Sequence, residues 1–160
     1  RLLDISDEIV IRFNDFDATF QSQTMTLATK LINAEYPPYM NIIPKNNTNE
    51  ATINREELLD ALRRSRVLAS EMTPVRMRMS NEGVRLTVTL TDGSTSVEDL
   101  DAKFTGEDIT VAFNSEYLAD GVEACGGEEV VITTSVPNKP AIIKPVGNDE
   151  YLYLLMPQRL

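Results

Sequence analysis

Hydrophobic positions switch between two periods along this chain, and the switches divide it into blocks. Apolar and polar side chains alternate over Glu8-Ile9-Val10-Ile11-Arg12-Phe13 and again over Ala18-Thr19-Phe20-Gln21-Ser22, as strands with one buried face require. A third run, Met25 to Leu31, follows a short Gln-rich turn, and Asn14-Asp15-Phe16-Asp17 suits a hairpin connection. Three strands without a helix bury little apolar surface, so this block, roughly 1–44, needs a partner to pack against. Pro37-Pro38 and then Pro44-Lys45-Asn46-Asn47-Thr48-Asn49 disfavour helix and central strand alike, which predicts a linker over 45–50 and a domain boundary near residue 45.

Beyond it the period becomes helical. Asn54 is a good N-cap, Glu56 and Glu57 occupy the first turn where the helix dipole favours acid, and Leu58, Leu59, Leu62 and Leu68-Ala69 form an apolar stripe. Strands are predicted over 74–80, 83–90 and 95–101, with turns at Glu82-Gly83 and Thr91-Asp92-Gly93. The order then recurs. Residues 108–113 alternate as a strand, Asn114 caps a helix running to about Ala124, Gly126-Gly127 ends it, and strands follow near 128–135, 139–145 and 150–156. Residues 51–160 thus read as strand, helix and three strands, twice over. The fold class is α+β, with two adjacent helices backed by antiparallel sheets.

Composition narrows the chemistry. The sequence has no histidine, which removes the usual general base near neutral pH and the commonest transition-metal ligand. Cys125 is the single cysteine, so no internal disulfide forms and a reducing compartment, the cytoplasm, is expected. No apolar run approaches the ~20 residues that cross a bilayer, so no membrane partner is expected. The chain opens on Arg1 inside what reads as structured sequence, without a charged-then-apolar leader, and is expected to be part of a longer protein. A net charge of −10 argues against binding DNA by neutralising many phosphates.

Four segments carry a family resemblance. Tyr36-Pro37-Pro38-Tyr39 followed by Ile43-Pro44-Lys45 resembles a segment of bacterial DNA sliding clamps, the DNA polymerase III beta subunits, in which aromatic-Pro-Asp-Tyr precedes Leu-Pro-Lys. Glu57-Leu58-Leu59-Asp60-Ala61-Leu62-Arg63-Arg64 is similar to the first helix of the clamp's third domain, and Phe113-Asn114-Ser115-Glu116-Tyr117-Leu118 to the start of its second. The ending, Tyr151 to Leu160, resembles the clamp's terminal Tyr-x-x-Met-Pro-x-Arg-Leu. Their order and spacing cover nearly the whole chain, which no one of them does alone.

The resemblance implies a non-catalytic replication processivity factor: a ring of two subunits that encircles duplex DNA and needs no cofactor or metal. Residues 1–44 become the end of the second clamp domain and 51–160 the third. A closed ring holds DNA by topology, which reconciles DNA association with an acidic exterior. Weak DNA contact is expected from Arg63, Arg64 and Arg66. A pocket for short Gln-x-x-Leu-Phe segments of polymerase, clamp loader and repair proteins is expected from Pro37, Asn41, Ile42, Asn138, Pro140, Met156, Pro157, Gln158, Arg159 and Leu160. Asn41 departs from the family, where arginine is frequent. Subunit contact is expected from Val67 and Leu68, with Asp92, Glu98, Asp99 and Asp101 presenting acid to a basic partner edge.

Two other readings remain open at this point. One is a carboxylate enzyme, with magnesium at Asp99 and Asp101 or at Glu128 and Glu129. The other is a β-rich interaction domain unrelated to replication, with a terminal tail that frays beyond Met156-Pro157.

Overall fold

A computed structural model describes residues 8–68 and 73–159, the side chains of Arg66, Val67 and Leu68 excepted. Two compact units divide after Pro38. In the first, β1 (Val10–Phe13), β2 (Asp17–Gln21) and β3 (Thr26–Lys30) form an antiparallel sheet in that order. Its first turn is made by Asn14, whose Oδ1 accepts from the amides of Phe16 and Asp17, both at 2.8 Å. Among the described residues of this unit only Ala18 is buried, while Val10, Ile11, Phe13 and Phe16 stand exposed.

Residues 39–48 group with the second unit, and a strand begins at Asn49, inside the span expected to be linker. The physical reason is side-chain amide chemistry. Asn47 Nδ2 donates to the carbonyl and hydroxyl oxygens of Thr133 at 3.1 and 3.0 Å. Asn49 donates to the Ser135 carbonyl at 3.2 Å and accepts from the Glu107 amide at 2.9 Å. A polar run that looks like solvent-exposed linker is thus laced to the strands beside it.

The second unit continues β4 (Asn49–Asn54), α1 (Arg55–Leu68), β5 (Pro74–Ser80), β6 (Gly83–Thr89), β7 (Thr95–Leu100), β8 (Ala102–Thr105), β9 (Ile109–Asn114), α2 (Ser115–Cys125), β10 (Glu129–Thr134), β11 (Ala141–Pro145) and β12 (Tyr153–Leu155). Two antiparallel sheets result, one ordered β12-β11-β10-β4-β8 and the other β7-β6-β5-β9. Strand β8 adds to the expected three of the first repeat. It is only 4 residues long, directly after β7, and sits at a sheet edge against β4, so its pattern merges with its neighbour's. Leu58 and Leu62 of α1, Leu118 of α2, Ile53, Ile132 and Ile143 of one sheet and Met77, Leu86 and Phe113 of the other are fully buried in one core.

The helices start and stop where local chemistry dictates. Asn54 Oδ1 accepts from the Glu57 amide at 3.1 Å, and Asn114 Oδ1 accepts from those of Glu116 and Tyr117 at 2.9 and 3.1 Å. Arg55, at the start of α1, donates to the carbonyls of Val122 and Glu123 at 3.1 and 2.8 Å, so its guanidinium caps the last turn of α2. Gly121, inside α2, is required by packing: a Cβ there would lie 2.4 Å from the Tyr153 ring. On the other side α1 is clasped to β7, where Arg64 grips both oxygens of Glu98 at 2.8–3.1 Å.

Two stability predictions follow from these contacts. Asn114→Ala leaves two first-turn amides without their acceptor and is expected to destabilise by about 1 kcal/mol, read from the midpoint of urea unfolding. Hydrogen bonds from Arg64 and Arg85 hold the Glu98 and Asp99 carboxyls below the ordinary carboxylate range. Carboxyls depressed by folding contribute stability above their unfolded values and lose it as pH falls through the folded ones. Stability should therefore decline as pH drops below the usual carboxylate range, and decline less in Glu98→Gln; parallel pH profiles would show that the α1–β7 clasp contributes nothing.

Candidate functional site

Residues 153–158 are anchored twice. Strand β12 pairs with β11 in the register Ala141↔Leu155, Ile142↔Leu154 and Ile143↔Tyr153. The chain then crosses to the other sheet, where the Gln158 amide donates to the Ala112 carbonyl of β9 at 2.8 Å. The tail is thus held on both sides of Pro157. Pro157 between the two anchors has no amide hydrogen to leave unpaired.

Alternation in β12 decides what this end presents. Leu155 is buried and Tyr153 packs on Gly121, so Leu154 faces away from the core. There it joins Leu152, Ile42, Ile43, Tyr39 and Glu150 around an apolar depression of ≈ 420 Å³. A second depression, ≈ 560 Å³, is lined by Pro137, Asn138, Pro157, Gln158 and Arg159. A third, ≈ 230 Å³, runs from Asn41, Ile42 and Ile43 past Pro44, Lys45, Asn46 and Asn47 to Ser135, Lys139 and Pro140. Met156 is 58% exposed.

The structure therefore brings Asn41, Ile42 and Pro140 to one place, and Asn138, Pro157, Gln158 and Arg159 to another. Pro37 belongs to the first unit, and Leu160 lies outside the described residues. Sequence reasoning missed Tyr39, Ile43, Leu152 and Leu154. The signal was present: in Leu152-Tyr153-Leu154-Leu155 one of each alternate pair must face outward, which puts leucines on a solvent face.

The charged positions are arranged differently from an open basic surface. Arg63 is bound to Asp60 at 2.8 Å within one turn of α1. Arg64 and Glu98, expected on two separate surfaces, bind each other. Asp99 is gripped by Arg85, at 2.6 and 3.1 Å, on the outer side of β7, the edge strand of its sheet. Asp92 accepts from the Ser94 amide at 2.8 Å in the turn after β6, which lowers its pKa. Asp101 is exposed in the break between β7 and β8. Arg66, Val67 and Leu68 have side chains outside the described residues.

Carboxylate chemistry finds little geometry here. Asp99 is committed to Arg85, and Glu129 has Lys103 at 4.0 Å. Among the described residues no group of three or more Cys, Asp or Glu is placed to hold a metal ion. Cys125 is buried, and desolvation pushes its thiol above the ordinary value against the opposing charge of Arg55, so it is a poor thiolate source. No helix among the described residues is long and apolar enough to cross a membrane.

Comparison with known proteins agrees with this architecture. The chain is 30% identical to the beta sliding clamp of Synechococcus elongatus over 97% of its own length and 42% of that protein's. It is 26% identical to the beta sliding clamp of Vibrio cholerae, covering 100% of this chain and 44% of that protein. Among solved structures, the DnaN sliding clamp of Bartonella birtlesii bound to griselimycin superposes with a TM-score of 0.84 at 27% identity, over 99% of this chain and 43% of that one. The DNA polymerase III beta subunit of Thermotoga maritima gives a TM-score of 0.79 at 26% identity, over 99% and 44%. The chain spans less than half the length of these relatives. Residues 40–159 match the family model of the DNA polymerase III beta subunit, C-terminal domain, and the chain belongs to that family.

Proposed function

We propose that this chain serves, within a longer subunit, as the partner-docking end of a non-catalytic, cytoplasmic ring that encircles duplex DNA during replication. Residues 1–38 are read as the end of the preceding clamp domain and 39–160, which group as one unit, as the last domain. The observation that carries the reading is the doubly anchored tail. It lays Pro157, Gln158 and Arg159 beside Asn138, while Leu152 and Leu154 meet Ile42 around an apolar hollow. Leucine and phenylalanine anchors of a linear segment suit adaptable walls of Ile, Leu and Pro, and the polar tail supplies hydrogen bonds at the rim. Met156 is assigned to the same groove. DNA polymerase, clamp loader and repair proteins are the partners this reading names.

Subunit pairing into a homodimer is assigned to the β7 edge with Val67, Leu68, Asp92, Glu98, Asp99 and Asp101. Because Arg64 and Arg85 already hold Glu98 and Asp99, those two carboxylates bring little unbalanced charge to the edge, and Asp92 and Asp101 carry more of it. Duplex DNA is assigned to the helix face with Arg63, Arg64 and Arg66. Arg63 has only an exposed i,i+3 partner, worth a few tenths of a kcal/mol, which phosphate readily displaces. The chelated Arg64 is less available.

Two measurements test the proposal. Peptides bearing Gln-x-x-Leu-Phe are expected to perturb the NMR signals of Ile42, Leu154 and Met156, and a response confined to other faces overturns the docking assignment. On the assembled protein bound to duplex DNA, Arg63→Ala is expected to reduce the slope of log affinity against log salt by up to about 0.9, one phosphate contact. Arg64→Ala is expected to reduce it less; equal losses would show that Glu98 does not restrain Arg64.

A further inference from the structure

We infer that the docking groove carries a cationic subsite, formed by Lys45 and Lys139, that selects partner segments with a carboxylate beside their apolar anchors. The inference rests on the groove reading above and adds a determinant of which partners are preferred.

Positive charge is distributed unevenly. Among the described residues of the second unit, Arg55, Arg63, Arg64, Arg78, Arg85, Lys103 and Lys144 each have a carboxylate within 4.0 Å. Lys45, Arg76, Lys139 and Arg159 are without a carboxylate partner among those pairs. Three of these four flank the groove: Lys45 and Lys139 line the depression that contains Asn41, Ile42 and Pro140, and Arg159 lines the neighbouring one with Asn138. No Asp or Glu lines either depression. In a chain of net charge −10, unbalanced cations therefore gather at these two depressions, while the adjoining apolar hollow has Glu150 in its lining.

The chemistry of that depression favours a carboxylate over a purely apolar occupant. Lys45 and Lys139, each an ammonium on a flexible four-carbon stem, share the lining with the amides of Asn41, Asn46 and Asn47 and the hydroxyl of Ser135. A single carboxylate accepts charge-assisted hydrogen bonds from both lysines without being removed from water, so it gains attraction with little desolvation penalty. The acidic remainder of the surface repels the same ligand, which sharpens the preference for this position. Asn41, a neutral residue on the same wall, leaves Lys45 and Lys139 as the cations that read the charge.

The test compares peptides that share the Gln-x-x-Leu-Phe anchors and differ only in carrying Asp or Asn immediately before or after them. At low salt an Asp peptide is expected to bind about fivefold more tightly than its Asn counterpart, the scale of two exposed ion pairs. The difference should shrink at high salt and disappear in Lys45→Gln/Lys139→Gln, with the Asn peptide bound as before. Equal affinities at low salt overturn the subsite while leaving the groove in place, as does a double variant that weakens both peptides alike. Failure of every peptide to perturb Ile42 and Leu154 overturns the groove reading together with the subsite. A double variant that lowers the salt slope for duplex DNA, with no change in peptide preference, reassigns the lysines to phosphate and also overturns it.

Discussion

Two sheets that exchange strands between sequence repeats constrain everything else in the second unit. Strand β9 opens the second repeat yet pairs with β5 of the first, and β4 opens the first yet lies between β10 and β8. Neither repeat can complete a sheet alone, so the helices that follow β4 and β9 are brought side by side over one shared core. The Arg55 guanidinium on the α2 carbonyls fixes the ends of that pair. The C-terminal tail obeys the same logic, leaving one sheet after β12 and touching the other at Ala112. The depression lined by Pro137, Asn138, Pro157, Gln158 and Arg159 lies at this crossing.

Much of this was legible from periodicity. The α1 stripe of Leu58, Leu59 and Leu62 is buried as its spacing required, and both asparagine caps accept from first-turn amides. What periodicity could not reveal depends on partners distant in sequence. Asn47 and Asn49 sit in a run rich in Asn, Pro and Lys that any local reading assigns to linker, and only their bonds to Thr133 and Ser135 place the run with the second unit. Strand β8 was hidden because a single residue, Asp101, separates it from β7. Leu152 and Leu154, which line the apolar depression, were hidden in plain alternation, since a leucine in a strand is read as core until its neighbours are known to occupy the core face.

Charge pairing was the least legible feature. A sequence shows Arg63-Arg64 as a basic cluster, but the cross-element distance between Arg64 and Glu98 decides whether that cluster is available. With Arg55 on Glu56, Arg63 on Asp60, Arg64 on Glu98, and Glu57, Asp120 and Glu123 exposed on the helices, the described helical surface carries net negative charge. Such a surface attracts duplex phosphate weakly at best, and its contribution is screened further at physiological salt.

That weakness suits the encirclement proposed above, in which retention would come from ring closure and a strong contact would brake sliding. It also separates two tasks that a single basic face would confuse. An acidic chain does not gather nucleic acid over its exterior, so on the proposed reading cations left unbalanced near the tail are available to a peptide without competition from DNA at every other surface. The same arithmetic applies at the proposed subunit edge, where Glu98 and Asp99 are neutralised by their own arginines and long-range attraction falls to Asp92 and Asp101.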